Sequence, residues 1–402
     1  MPNADAPVVA DAPVVIVGAG LVGASLALAL SQRLPQVSIV LIDQQGPQQP
    51  LPAAQFDPRV VALNLASQSL LAQLGVWAAI QRQCAYEQMQ VWDGEGSGSI
   101  EFSAREMGAN ALGWIVENGE LLAELHRLIA LAPRITWLCD SVQALHRQGE
   151  TYCLQTLKGA EIPAALILAA DGARSKLREL ASIPVRQWSY GHTAIVCRVQ
   201  TELPHRHTAY QRFSHQGPLA FLPLFPAGQQ DSSIVWSLEN TEAERMMALD
   251  EDAFKVALAA ALEHRLGAVL HLDARLALPL QQCHARRYCA AGVTLLGDAA
   301  HAIHPLAGQG VNLGLADVQS LVAELVRAQE RGLPLNHPSV QDRYQRARMP
   351  HNLAAMAAME SFKRLFGNHN PYVGLARNLG LRLAGQLPGV KQQFMRLASG
   401  RA

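Results

Sequence analysis

The sequence predicts an α/β protein: a parallel-sheet domain, an antiparallel sheet inserted into it, and a C-terminal helical region. Three observations carry this reading. Short apolar runs end in an acid at the same kind of position three times, at Asp43, at Asp171-Gly172 and at Gly297-Asp298. Between residues 184 and 240 the helical period vanishes, and β-type runs alternate with Pro and Gly. After Glu360 no Asp or Glu remains, while Lys, Arg and Leu recur. The division that follows is 11–83, 107–183 and 277–345 for the parallel-sheet domain. Residues 84–106 and 184–276 form the inserted domain, and 346–402 the helical region.

Bulk properties narrow the function classes. A chain of 402 residues, 50% hydrophobic and 16% charged, can bury a large core. Its 33 basic and 33 acidic residues cancel, so bulk charge makes no case for nucleic acid. The opening MPNADAPVVADAP has two acids and no Lys or Arg, unlike a secretory signal. No apolar run reaches the length of a membrane span. Six cysteines without a C-x-x-C pair read as reduced thiols of a cytoplasmic protein, and no metal site is expected.

Taken in order, Val14 to Val17 is a buried strand, and Gly18-Ala19-Gly20-Leu21-Val22-Gly23 is G-x-G-x-x-G. Leu21 to Arg33 is a helix, and Val37 to Ile42 a second strand ending in Asp43. Strand, glycine loop, helix, strand and terminal acid together form a Rossmann-like dinucleotide site. The glycines let backbone N–H groups approach a pyrophosphate, and the acid meets an unphosphorylated ribose, which favours FAD or NAD over NADP. Val60 to Leu63 reads as a strand, Ser67 as a helix cap and Gly75 as a stop. Arg59 by itself reads as half of a surface ion pair. Apolar residues around Gly94–Gly98 predict a hairpin, and Leu121 to Ile129 a helix. Residues 135 to 157 suggest short strands turning at Gln148-Gly149. Ala165 to Ala170 is a strand ending at Asp171-Gly172, with Ser175 placed to cap a short helix. Residues 193–199, 219–224 and 232–238 predict the antiparallel sheet. His205 and His207 are spaced like metal ligands but lack partners, so they read as surface residues. Residues 250 to 266 return to helix, and 276 to 280 lead back to the strand 293–296.

That last strand opens the segment GDAAHAIHPLAGQGVNLGLAD, whose helix is stopped by Gly332 and Pro334. With the G-x-G-x-x-G at Gly18 and the Asp171-Gly172 pair, it resembles the signature of the ubiquinone-biosynthesis hydroxylases. These are flavin aromatic hydroxylases of the para-hydroxybenzoate hydroxylase type. The similarity runs through RVVALNLASQSLLAQLGVW, LGWIVEN, LAFLPL, SIVWSLE and LAGQLPGVK, and looks closest to the 2-octaprenylphenol hydroxylase branch.

The resemblance implies non-covalent FAD, with NAD(P)H as a transient reductant because only one dinucleotide fingerprint exists. Gly18, Gly20, Gly23 and Asp43 would hold its adenosine half, and Arg59 would approach the cofactor. Gly297-Asp298 would meet the ribityl and pyrophosphate region, Asp171 and Gly172 would serve both nucleotides, and Pro305, Gly308, Gly310, Val311 and Asn312 would line the flavin. Pro305, His304 and His301 are the catalytic candidates, the two histidines reading equally as structural loop residues. Asn118 stands where many relatives carry an arginine. The substrates implied are a polyprenyl phenol and O2. Other flavin chemistry on the same fold (a dehydrogenase, reductase or halogenase) and a non-catalytic FAD-binding subunit are the alternatives.

The tail carries Lys363, Arg364, Arg377, Arg382, Lys391, Arg396 and Arg401 among leucines and phenylalanines. Such a basic amphipathic stretch either packs with a solvated basic face or docks on an anionic membrane surface or an acidic partner. With the implied lipid-borne substrate, it predicts a peripheral association at the inner membrane. A homo-oligomer is also compatible with the sequence.

Overall fold

The structure is a computed structural model and describes residues 12–52, 55–148, 151–225, 229–290, 292–303, 309–366, 378–380 and 388–400. Its helices are α1 (Leu21–Arg33), α2 (Leu65–Gln73), α3 (Asn118–Ala130), α4 (Lys176–Leu180), α5 (Asn240–Ala248), α6 (Glu251–Ala261), α7 (Gln309–Glu330), α8 (Pro338–Phe366) and α9 (Pro388–Ser399).

Continuous apolar runs form the centre. The strands Ile135–Cys139, Ile39–Asp43, Val14–Val17, Leu166–Ala169 and Val293–Leu295 lie side by side in that order, all parallel, with Cys289–Ala290 antiparallel at the edge. A parallel sheet is covered on both faces, which is why these strands carry no polar alternation. Leu26 and Leu30 of α1 and Val318, Leu321 and Leu325 of α7 are buried against them, each such side chain stabilising by about 1.5–3 kcal/mol. Chain order reverses at Val14–Val17, which has Ile39–Asp43 on one side and Leu166–Ala169 on the other. At such a switch point the crevice lies beyond the carboxyl ends of the strands.

Register places the acids there. Val17 pairs with both Ile42 and Ala169, and Ala169 with Leu295. Asp43, Asp171 and Asp298 therefore leave the sheet along one edge, as expected. Three strand spacings of about 4.8 Å separate the outer two by about 14 Å.

A second, nine-stranded sheet carries Ile195, Cys197, Ile234 and Trp236 on one face, buried against α5 and α6. It is not wholly antiparallel, because Thr208–Phe213 pairs parallel with Gln88–Asp93. The hairpin 88–103 arrives from the other domain, more than a hundred residues before its neighbour, so no tight turn dictates its direction. Sheet membership also crosses the predicted boundaries. Leu276–Ala285 hydrogen-bonds into the large sheet, whereas Gln83–Tyr86 joins a small sheet with Val60–Leu63 and Gly113–Glu117.

Two local readings are corrected. Asn64, not Ser67, caps α2: its Oδ1 accepts the Ser67 N–H at 2.9 Å. His205 is buried, not on the surface; its ring bonds the Leu224 carbonyl and the His207 N–H. Ser175 caps α4 as expected. The described part of the tail packs on the body. Phe366 is buried and stacked on Phe213 at 4.3 Å, Asn378 accepts the Gly98 N–H, and Lys391 pairs with Glu106. No helix of the described residues is long and apolar enough to cross a membrane.

Candidate functional site

The first corner of the site is built by the glycine loop after Val17. Gly18 has φ +98°, and a Cβ there would lie 2.2 Å from the Ala170 oxygen. A Cβ on Gly23 would lie 1.9 Å from the Gly18 oxygen. Both must therefore be glycine for packing. A Cβ on Gly20 would meet nothing within 4 Å, so the protein itself has no need of glycine there. The space beside it is open to a close-approaching ligand, and the uncapped helix start fits an anion: α1 has no side-chain cap and no acid in its first turn. Asp43 accepts the Ala19 N–H at 2.7 Å and the Gln45 N–H at 2.8 Å, tying the loop to the neighbouring strand end.

A residue that the sequence reading missed completes this corner. His126 of α3 accepts the Gln48 N–H on Nδ1, which leaves Nε2 to donate to the Ala19 carbonyl at 2.8 Å. Burial pushes its pKa down, favouring the neutral tautomer that this pairing needs. A lone histidine on an amphipathic helix carries no sequence signal for that role.

The Arg59 side chain is 61% exposed and pairs with Asp57 at 3.6 Å, the ion pair its sequence position by itself suggested. Asp57 is buried and holds the segment, accepting the Arg59 N–H and the α3 Gly119 N–H. The first turn of α3 is thus occupied by Asp57, and the Asn118 N–H goes to the Arg59 carbonyl.

The second corner joins the other two strand ends. Arg178 was also missed. It is buried and donates to the carbonyls of Ala173 and Ala299, bracing the Asp171 and Asp298 loops against each other. Asp171 accepts the Leu177 N–H with one oxygen, while its Oδ1 is buried with no partner among the described residues. Burial raises its carboxyl above the usual range. Gly172 has φ +79° and open space where a Cβ would be. Asp298 is exposed, yet burial of its surroundings raises its carboxyl, with His301 opposing the shift. It stands at the carboxyl end of its strand, where the crevice of such a sheet lies.

The flavin-lining candidates divide. Gly310 and Val311 lie in the first turn of α7, whose opening turn carries no acid. Asn312 is buried, its amide donating to the Ala62 carbonyl and accepting the Asn64 N–H, so it clamps α7 to the α2 start. His301 is wholly buried, with Nε2 2.5 Å from Asp317. His304, Pro305 and Gly308 lie outside the described residues.

A glycine cradle, an orphaned carboxylate oxygen and two uncapped or acid-free helix starts along one crevice fit a dinucleotide. Comparison with known proteins agrees: a family model described as "FAD binding domain" matches residues 11–358. The chain belongs to this family. It is 36% identical over 390 residues to 3-demethoxyubiquinol 3-hydroxylase of Escherichia coli, covering 96% of this chain and 98% of that protein. It is also 36% identical to ubiquinone hydroxylase UbiL of Rhodospirillum rubrum, covering 99% and 93%. The human ubiquinone biosynthesis monooxygenase COQ6 is 31% identical, covering 96% and 92%. Among solved structures, p-nitrophenol 4-monooxygenase PnpA of Pseudomonas putida superposes with a TM-score of 0.77 at 18% identity, covering 97% and 99%; this likeness speaks to fold. The family member described here is an FAD-dependent aromatic hydroxylase.

Proposed function

We propose that this hydroxylase adds oxygen to the aromatic ring of a polyprenylated phenol in ubiquinone biosynthesis, with NAD(P)H as transient reductant. Bound FAD supplies the activation of O2 at the expense of the nicotinamide, and the chain's task is to hold, orient and desolvate. Gly18, Gly20, Gly23 and Asp43 take the adenosine half, with Arg59 beside them. Asp298 and Gly297 take the ribityl–pyrophosphate region. Asp171 and Gly172 border both nucleotides. The N–H groups at the start of α7, at Gly310 and Val311, stabilise negative charge that develops on the ring system. Pro305, Gly308 and His304 precede that turn in the sequence.

The observation that carries the substrate class is an apolar stripe on the large sheet. Leu276 and Leu278 are 36% and 41% exposed, opposite Val196 and Ala194. This face, with Val235 and Leu280, is the one turned away from α5 and α6. The same strand ends at Cys283 and His284, which pair with Ala302 and His301 just after the Asp298 turn. Five residues at about 3.3 Å each put Leu278 about 17 Å from that junction, a distance suited to a prenyl chain whose ring reaches the flavin. The names of the ubiquinone-pathway relatives support the same class.

Delivery from lipid is the second part of the proposal. Leu353, Leu365 and Leu379 are 46%, 38% and 57% exposed, and Arg364, next to Leu365 in the chain and paired with Glu360 at 2.7 Å, has its side chain 80% exposed. An apolar, basic surface of this kind suits peripheral docking on an anionic membrane.

The test uses the purified yellow protein. FAD should be released intact on denaturation, and O2 uptake should match the prenyl phenol gaining one oxygen atom. A Leu278→Asp variant should lose long-chain turnover while retaining a short-chain phenol. NAD(P)H oxidation whose oxygen all appears as peroxide, with every phenol tried, would sink the reading. Equal binding to neutral and anionic vesicles would sink the docking.

A further inference from the structure

Behind the Gly297–Asp298 turn lies a buried charge cluster that the hydroxylase reaction does not touch. Asp317 of α7 is wholly buried and shares its carboxylate between two sides. Oδ2 faces the cofactor turn, accepting the Gly297 N–H at 3.1 Å and His301 Nε2. Oδ1 faces α8, accepting Arg348 Nε at 2.7 Å and Asn352 Nδ2 at 3.2 Å. Burial alone would raise this carboxyl, but His301 and Arg348 overcome it and hold it below the usual range. The contacts close into a ring. Asn352 also donates to the Tyr288 hydroxyl, which meets His284 Nε2 at 3.2 Å, and His284 lies opposite His301 in the sheet. Arg348 also reaches the Asn352 side chain at 2.9 Å.

A buried carboxylate with four donors is not a device for raw stability, since apolar residues of the same volume serve as well. What it adds is geometry. Arg178 holds the far side of the turn at the Ala299 carbonyl, Oδ2 holds its near side at the Gly297 N–H, and Oδ1 is fixed by α8. We infer that Asp317 is the positioning residue of the Gly297–Asp298 turn, and that Arg348 and Asn352 of α8 set FAD affinity through it without touching the cofactor. This rests on the reading that Asp298 meets FAD. His301 then acts as a brace held by Asp317, its Nδ1 buried without a partner among the described residues.

The experiment is a double-variant cycle on the holoprotein, with FAD release on dilution followed by flavin fluorescence. Arg348→Met should weaken FAD about tenfold, and Arg348→Lys should recover most of that. Asp298→Ala should weaken it on its own. In the Asp298→Ala background, Arg348→Met should add no more than about a further twofold, because both act on one turn. A merely structural arginine would give full additivity, and that result overturns the inference. So does Arg348→Met with unchanged FAD affinity beside a leaky Asp298→Ala, which removes the inference alone. Normal retention by Asp298→Ala removes the reading beneath it, and the inference with it. Should Arg348→Met not fold, Asn352→Ala replaces it in the same cycle, with a loss of about threefold expected and additivity again decisive against.

Discussion

The two corners of the crevice are held in opposite ways. At the first, Gly18, Ala19 and Asp43 are tied within one strand–helix–strand unit, and Asp43 bonds a backbone 24 residues away. His126 and the strand end at Ala170 come from farther along the chain. At the second, the Gly297–Asp298 turn is pinned from behind by Asp317, and Asp317 by residues up to 35 positions on, in a helix outside the parallel sheet. The first corner is a motif whose constraints are mainly steric, between the glycine loop and the backbone packed against it. The second is an assembly whose constraints are electrostatic and shared with the rest of the fold. Substitutions should therefore fail differently at each.

The largest effect is expected at the first corner. Gly23→Ala drives a Cβ into the Gly18 carbonyl, costing about 3 kcal/mol or more because backbone cannot step aside. Chemical denaturation of the FAD-free protein measures it, and an unaltered midpoint would show that the loop is softer than its geometry implies.

Acid should act on both corners, since burial holds down His126 at the first and His284 at the second. His284 is kept neutral by burial, its pKa pushed down to about 4. A histidine depressed in the folded state leaves stability intact above the unfolded value near 6.5, and the contribution is lost as pH falls from there to about 4. The loss is up to about 3 kcal/mol, from about 1.4 kcal/mol per unit. Buried His205, also pushed down to about 4, adds in the same window, whereas Asp317 contributes only at lower pH because its carboxyl is depressed. His284→Gln should flatten the decline between pH 6.5 and 4, and an identical slope in wild type and variant would remove His284 from it.

Asp298→Ala tests the cleft itself. Losing a charged hydrogen bond costs about 1.5–3 kcal/mol, so FAD retention should fall ten- to a hundredfold, with denaturation of the FAD-free protein little changed. The smallest effect on the fold is expected at Gly20→Ala. Nothing lies within 4 Å of the new methyl, so FAD-free stability should move by less than about 0.5 kcal/mol. FAD should nevertheless weaken about tenfold, by about 1.4 kcal/mol. Normal FAD affinity in Gly20→Ala would mean that no ligand backbone approaches that side of the loop.

The same contrast explains what was legible beforehand. Leu21–Arg33 and the hairpin around Gly94–Gly98 were readable because helix-favouring composition, breakers and turn chemistry act within a few residues. Asn64 was overlooked as the α2 cap because Ser67, an equally good capping type, lies three positions on. His205 was misplaced because a histidine in a polar stretch gives no sign of the strands that close over it.

By itself the sequence determined the parallel sheet, its glycine loop, the three acids at strand ends and, through the resemblance, the cofactor and reaction class. The glycine loop, the strand runs and their terminal acids are local matters of sterics and sequence pattern, set between neighbours in the chain. Tertiary structure alone decided that His126 and Arg178 brace the loops, that Asn312 clamps α7 to α2, and that Asp317 binds the Gly297–Asp298 turn to α8. Those contacts pair residues as much as 250 positions apart, and burial decides which polar groups must find each other there. No spacing along the chain encodes that.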